Sequence, residues 1–139
     1  MKIYFVILIV LHGLVHLIGF LRGYNLMQSK GFHVPVSKAS GLLWLLSFIL
    51  FELAAIMHYN DNQQWWIIGS IAVVLSQILI VLHWKDTKFG TIPNIIIIYV
   101  LIIDYGIWHF SNSFSNIPDQ FMFQGNVLAS LIQGCLILS

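Results

Sequence analysis

Four long apolar stretches without lysine or arginine constrain this chain more than any other feature of its sequence. They cover residues 3–21, 41–58, 65–84 and 91–110. At ~1.5 Å per helical residue, each is long enough to cross ~30 Å of hydrocarbon. Hydrophobic residues make up 59% of the chain and charged residues 8%, a composition typical of integral membrane proteins. The sequence therefore predicts an all-α membrane helix bundle with four transmembrane helices.

The C-terminal segment, 111–139, is less apolar than the four spans. Gln124, Asn126 and Gln133 interrupt it, and its cleanest apolar part, 127–138, is shorter than a membrane span. We expect this segment to form either a fifth span or a membrane-associated helix in the interface. Residues 1–110 are then the four-helix transmembrane domain, followed by this segment.

The cationic residues predict an orientation. All but one of them lie in the first and third loops, as Arg22, Lys30, Lys38, Lys85 and Lys88. The hairpin 59–64 has neither Lys nor Arg, and Lys2 is the exception. The positive-inside rule places the first and third loops in the cytoplasm and the hairpin outside. Lys85 and Lys88 either contact lipid headgroups, with Phe89 as an apolar anchor, or serve only to orient the chain.

Composition also excludes several classes of function. A formal net charge of +1 provides no basic surface for nucleic acid, so the lipid bilayer is the predicted partner. The single cysteine, Cys135, cannot form an intramolecular disulfide or a thiolate zinc site. The sequence contains no glycine-rich phosphate loop and no nucleophile elbow, and we assign no enzymatic activity to it.

Small and polar residues form narrow stripes on two of the predicted helices. On the first helix, the spacing of four, three and four residues places the stripe within roughly 60° of one face. Its members are His12, His16, Gly19 and Gly23. Glycines on one face allow a neighbouring helix to approach closely. The third helix has a similar stripe, which we expect to be the packing partner: Gly69, Ala72, Ser76 and His83.

Two carboxyl groups lie within the predicted spans, where a lone charge costs ~2.5–3.5 kcal/mol on insertion scales. Glu52 lies near the middle of the second span and Asp104 in the outer half of the fourth. Counting along each helix places His12, Glu52, Gln77 and Asp104 within roughly 5–6 Å of one depth. The carboxyl groups must therefore be protonated, paired with histidine, or bound to an ion. The predicted intramembrane polar cluster is His12, His16, Glu52, Gln77 and Asp104.

Several interpretations of this cluster remain open from the sequence. It is either hydrogen-bonding glue for the bundle, a proton relay through His12, Glu52 and Asp104, or a ligand site. As a metal site for zinc or iron it would use His12, His16, Glu52 and Asp104. A haem variant requires two histidines at matching depth on different helices. In a further alternative, the chain is a non-catalytic assembly subunit that joins copies of itself, or a larger membrane complex.

Three stretches resemble the membrane region of a family of uncharacterised bacterial integral membrane proteins. They are 11–20 (LHGLVHLIGF), 41–46 (GLLWLL) and 74–97 (VLSQILIVLHWKDTKFGTIPNIII), and the best marker is 84–94 (WKDTKFGTIPN). The resemblance covers most of residues 1–110 and implies a multi-pass protein of the bacterial cytoplasmic membrane. In that family four helices often precede a soluble domain, which we expect to be absent here. A chain without that domain would be an anchor or a partner subunit.

Overall fold

The structure is a computed structural model that describes residues 2–27 and 36–114. Its elements are α1 (Lys2–Gly23), α2 (Lys38–Tyr59), α3 (Trp65–Leu82), α4 (Trp84–Thr87), a 3₁₀ turn (Lys88–Gly90) and α5 (Thr91–Phe114). The predicted all-α fold is confirmed for these residues. α1, α2, α3 and the helical stretch Trp84–Ser113 are long and apolar enough to cross a membrane. Most of the predicted C-terminal segment lies outside the described residues.

The chain divides into two compact units between Tyr105 and Gly106. The helix bundle described below belongs to the first unit. The last turns of α5, from residue 106, belong to the second. There the hydroxyl groups of Ser111 and Ser113 donate to carbonyl oxygens of their own helix, at 3.0 and 2.8 Å. These bonds satisfy the two hydroxyl groups without any other element.

α1 and α2 form an antiparallel pair whose backbones touch at one point. A Cβ atom on Gly23 would lie 2.8 Å from the Cα of Gly41. One turn towards the other end of the pair, the Gly19 backbone lies against the ring of Trp44. Such close approach is possible because glycine has no side chain, and it lets the two helices make backbone dispersion contacts.

The opposite end of this pair carries the tight connection between α2 and α3. Lys2 Nζ lies 2.5 Å from Asp61 Oδ1 in that connection. Lys2 is the cation that departs from the predicted charge distribution, and its charge is paired with that of Asp61. Because the pair is exposed, its contribution to stability is small. We call this the hairpin end, and the other end the turn end.

The segment between α3 and α5 folds back along α3 instead of extending away from it. Thr87 Oγ1 donates to the His83 and Ile80 carbonyl oxygens, at 3.0 and 3.3 Å. Gly90 lies close to Ile80, since a Cβ atom there would be 2.9 Å from Ile80 Cδ1. Thr91 Oγ1 accepts from Gln77 Nε2 at 3.4 Å. α5 therefore begins beside Gln77, about 8 Å before the end of α3 at ~1.5 Å per residue.

The apolar core lies between the histidines of α1 and the hairpin end. Its buried members are Ile9, Phe51, Ala54, Ala55, Trp65, Ala72, Val73, Ile97 and Leu101. The outward faces of the helices are covered by exposed aliphatic side chains, including Ile95 and Ile102 of α5. Aliphatic residues on the outside are what a bundle surrounded by hydrocarbon requires. The polar residues described next are therefore enclosed by apolar ones on both sides.

Candidate functional site

Buried polar side chains from α1, α3 and α5 form a hydrogen-bonded group, which we call the polar network. His12 Nε2 lies 2.8 Å from Asn94 Oδ1, and His16 Nε2 lies 2.8 Å from Ser76 Oγ. Asn94 Nδ2 donates to Ser76 Oγ and to Gln77 Oε1, at 3.0 Å in each case. His12, His16, Ser76 and Asn94 are at most 5% exposed. The network joins three helices through their buried faces.

Helix periodicity explains how these five side chains meet. His12 and His16 are one turn apart on α1, so their imidazoles stack along one face, with ring centroids 4.8 Å apart. Phe51 of α2 contacts both imidazoles, with centroid distances of 4.9 and 5.3 Å. Trp44 contacts His16 at 5.0 Å. α2 thus covers the histidines with aromatic rings, while α3 and α5 supply their hydrogen-bond partners.

The acceptor atoms assign the proton positions. A carbonyl oxygen only accepts, so His16 Nδ1 carries the hydrogen that it donates to the His12 backbone oxygen at 2.9 Å. His16 Nε2 is then the acceptor for the Ser76 hydroxyl. Asn94 Oδ1 also only accepts, so His12 carries its hydrogen on Nε2. All these bonds are satisfied with both imidazoles neutral and in opposite tautomers.

A cavity of about 220 Å³ adjoins the polar network at the turn end. His12, His16 and Gly19 of α1 line one side, and Trp44 lines another. The folded-back turn closes it with Thr87, Phe89 and Gly90, and Val15 also borders it. Val15 and Phe89 are 55% and 71% exposed. The cavity therefore reaches the outside of the bundle between α1 and the turn.

Trp44 is the buried donor of this cavity that lacks a partner. The residue is 2% exposed, and its Nε1 has no hydrogen-bond acceptor among the residues that the structure describes. Gly19 makes room for the ring, because any Cβ atom at that position would overlap the indole. A buried N–H group without an acceptor costs ~1–3 kcal/mol.

The carboxyl groups lie outside the network. Glu52 packs against α1 at the level of His12, where a Cβ atom on Gly13 would lie 2.8 Å from Glu52 Oε1. This oxygen is buried without a partner in the described part of the chain. Asp104 instead accepts from Trp65 Nε1 at 2.6 Å, and its Oδ2 lies 3.8 Å from His58 Nδ1. The two carboxyl groups thus serve different parts of the bundle.

The expectation that Asp104 lies at the depth of His12 is wrong. Asn94 bonds to His12, and Asp104 follows ten residues later on the same helix, about 15 Å away along its axis. The cause is the folded-back turn, which starts α5 beside Gln77 and shifts the whole helix towards the hairpin end. Counting from the predicted span ends could not include this shift.

The structure does not assemble the predicted metal site. Among the described residues, no group of three or more His, Cys, Asp or Glu side chains is placed to hold a metal ion. Asp104 is too far from the histidines. The Nε2 atoms of His12 and His16, which would ligate zinc, iron or haem, are bonded to Asn94 and Ser76.

The predicted packing residues lie in three different contacts. Gly19 and Gly23 pack against α2, not against α3 as expected. Gly69 packs against α5, because a Cβ atom there would lie 2.9 Å from Leu101 Cδ2. Ser76 joins the polar network and is the point where the two stripes meet. Lys85 and Lys88 are exposed on the turn, and their contact with lipid headgroups stays a prediction.

Sequence reasoning missed Asn94, although it is central to the network. The signal was present: an amide is the fourth residue of a predicted span and is followed at once by four isoleucines. An amide in hydrocarbon must find hydrogen-bond partners. Trp44 was also missed as a site residue, because its position near a span end is explained by interfacial anchoring alone.

Comparison with protein-family models, with curated proteins and with solved structures finds no match for this chain.

Proposed function

We propose that this chain is a multi-pass protein of a bacterial cytoplasmic membrane that binds a small, mostly apolar molecule in the cavity beside His12 and His16. The observation that carries the proposal is the cavity of about 220 Å³ at the edge of a network that is already complete. Hydrogen-bonding glue needs only the network, and it does not account for a mostly apolar cavity beside it that opens to the outside of the bundle at Val15. A small apolar molecule that enters this cavity contacts its walls on several sides.

The membrane placement rests on several observations that agree. Four helical stretches are long and apolar enough to span a bilayer. The cationic side chains concentrate near the turn end and in the first loop, while Lys2 is paired with Asp61 at the hairpin end. The positive-inside rule then makes the first and third loops cytoplasmic. The resemblance to bacterial integral membrane proteins supports the same location.

Ligand binding is favoured over proton relay by the position of the carboxyl groups. A relay through His12, Glu52 and Asp104 requires these groups to exchange protons, yet Asp104 lies about 15 Å from the histidines along the bundle. The cavity, by contrast, is in direct contact with both imidazoles. Because Val15 lies on the outer surface of α1, a hydrophobic molecule can reach the cavity from the lipid.

Binding of tetramethylbenzene to the protein in lipid nanodiscs tests the proposal. Empty nanodiscs of the same lipid correct for partitioning into the bilayer. We expect saturable binding of one molecule per chain and its loss in Val15→Phe, whose larger side chain fills the cavity. Val81→Phe makes the same change at an equally exposed position of α3 that does not border the cavity, and should bind like the unmodified protein. Binding that never exceeds that of empty nanodiscs contradicts the proposal.

A further inference from the structure

We propose that two copies of this chain pair through the outer face of α2, and that the Glu52 carboxyl groups of the two copies meet at the centre of the interface. The inference goes beyond the proposed function. It depends on the proposed membrane location, but it does not require the cavity to hold a molecule. It gives a role to a carboxyl group that the polar network leaves unused.

The carboxyl group of Glu52 has no hydrogen-bond partner within the described chain. Oε1 is buried against α1, in the space that Gly13 leaves open, and no donor reaches it. The residue as a whole is only half-buried. Because Oε1 is the one buried oxygen of this group and the described residues offer Oε2 no hydrogen bond, Oε2 lies at the outer surface of the bundle. Oε2 is therefore the atom that another molecule can reach.

The position of Glu52 along α2 restricts the class of that molecule. Glu52 lies seven residues before Tyr59, the last residue of α2, and thus about 10 Å from the hairpin end of the helix. With the proposed membrane location, this depth is within the hydrocarbon, where a carboxyl group finds neither water nor lipid headgroups. The partner of Oε2 is therefore a polar group on another polypeptide chain.

The outer face of α2 has the residue pattern of a helix that pairs with an identical helix. Spacings of four, three, four and three residues connect five residues, which we call the α2 seam: Leu45, Ile49, Glu52, Ile56 and Tyr59. Ile49, Ile56 and Tyr59 are each more than half exposed. In heptad terms Ile49 and Ile56 are a residues and Leu45 is a d residue, a choice that favours two-stranded pairs. A single polar residue within such a seam sets its register, and Glu52 is that residue here.

Symmetry favours a second copy over a different protein. A two-fold axis along the membrane normal relates two copies inserted in the same orientation, and it places α2 parallel to its equivalent. Seam residues of a parallel pair meet their own equivalents. A protonated carboxyl group both donates and accepts, so Glu52 Oε2 donates to Oε2 of the partner subunit's Glu52. Two ionised carboxylates would repel each other, so at least one keeps its proton. A different protein would need a matching polar group at the same depth.

Cross-linking through single cysteines in liposomes tests the interface. Ile49→Cys and Ile56→Cys, each in a background without Cys135, place a thiol on the α2 seam on either side of Glu52. One cysteine cannot form a disulfide within its own chain, so a product of twice the mass reports a second copy. We expect oxidation by iodine to link both variants. Ile78→Cys, at a similarly exposed position on α3, should stay unlinked because its equivalents lie too far apart for a disulfide.

Replacement of Glu52 tests the carboxyl group. Förster transfer between donor- and acceptor-labelled copies, attached through Gln63→Cys without Cys135, measures the dissociation constant of the pair in liposomes. Glu52→Leu should raise this constant about five- to thirtyfold, as expected for a lost hydrogen bond between helices in lipid. Glu52→Gln keeps a donor and an acceptor and should raise it less. Ser70→Leu makes a similar polar-to-apolar change on α3, away from the seam, and should not alter it.

The possible results separate this proposal from its alternatives. Monomers at the highest protein-to-lipid ratio overturn the pairing. Failure of both seam variants to form a product of twice the mass shows that another part of the chain, another protein or lipid covers the seam. A dissociation constant that is the same for Glu52→Leu and the unmodified protein removes the carboxyl group from the interface. Cross-linking with Glu52 intact does not depend on whether Glu52→Leu folds, and none of these results bears on binding in the cavity.

Discussion

Asn94 holds three helices together with one amide group. Its oxygen accepts from α1, and its two amide hydrogens go to neighbouring residues of α3. Each buried hydrogen bond of this kind contributes ~0.6 kcal/mol on average inside membranes, with larger values where partners are left unpaired. A single side chain that makes several such bonds is therefore a sensitive point of the structure.

Replacement of Asn94 tests its role in the bundle. Asn94→Ala should lower the free energy of unfolding by about 1–3 kcal/mol, because His12, Ser76 and Gln77 each lose a buried partner. The measurement is an unfolding titration with sodium dodecyl sulfate in mixed micelles. Ile95→Ala changes the next residue, which is 60% exposed, and should cost much less. Equal losses for the two variants would show that the network contributes nothing beyond ordinary packing.

The tautomers assigned to the histidines are measurable. In nitrogen NMR spectra of the histidine-labelled protein, His16 should carry its hydrogen on Nδ1 and His12 on Nε2. His83 provides an internal comparison, because its Nδ1 lies 3.1 Å from the Leu79 backbone oxygen and should show the same pattern as His16. Variants His16→Gln and His83→Gln assign the signals. A neutral His16 with its hydrogen on Nε2 would contradict the hydrogen bonds assigned to His16 in the polar network.

The sequence predicted which side chains share a helix face better than it predicted their hydrogen-bond partners. Helical spacing correctly brought His12 and His16 to one face, because that spacing depends only on residues four apart. It could not pair His16 with Ser76 or His12 with Asn94, which depend on how three helices are placed along one another. Glu52 and Asp104 were grouped by counting residues along separate helices, which does not report how those helices are placed along one another. The two carboxyl groups are apart in the structure.

α1 and α2 make a close backbone contact at two glycines. Gly23 and Gly41 face each other there, and neither backbone can move aside without separating the helices. A methyl group at either position meets backbone atoms, in contrast to Gly19, where it meets a side chain. The position of the two glycines therefore fixes how far α1 and α2 slide past each other.

An added methyl group at this contact should destabilise the bundle. Gly23→Ala is expected to cost about 1–3 kcal/mol of unfolding free energy, as overpacked contacts do. Gly106→Ala is the matched control, because a Cβ atom there meets nothing within 4 Å. The control should be neutral or slightly stabilising, since alanine is the better helix former. Both are measured by the same detergent titration; a loss in both variants, or in neither, would contradict the contact.

The start of α5 shows that the residue at which a helix begins depends on the nearby sequence, whereas its position along the bundle does not. The fourth apolar stretch was predicted to begin at residue 91, and α5 begins there. The depth of that start depends on bonds from the turn to α3, such as Thr87 to the Ile80 oxygen. Those bonds join residues seven apart across a chain reversal, which no periodic pattern in the sequence reports.

For the whole molecule, orientation is the property that decides which side of the membrane the cavity serves. The proposed orientation predicts that position 88 is cytoplasmic and position 63 is outside. Gln63→Cys and Lys88→Cys, each in a background without Cys135, test it with an impermeant thiol reagent on intact cells. Gln63 is preferred to Asp61, whose positive φ of 57° and ion pair with Lys2 would be disturbed. Labelling of position 88 but not 63 would reverse the orientation and place the cavity at the outer face.

The polar network can be completed only late in the synthesis of the chain. His12 and His16 leave the ribosome in the first helix, Ser76 and Gln77 in the third, and Asn94 only in the last. Until that last helix is made, the imidazole of His12 lacks its amide partner. With the proposed membrane location, the first three helices would therefore enter the bilayer before their polar groups have all their hydrogen-bond partners, and a chain that stops before α5 would leave those groups unpaired.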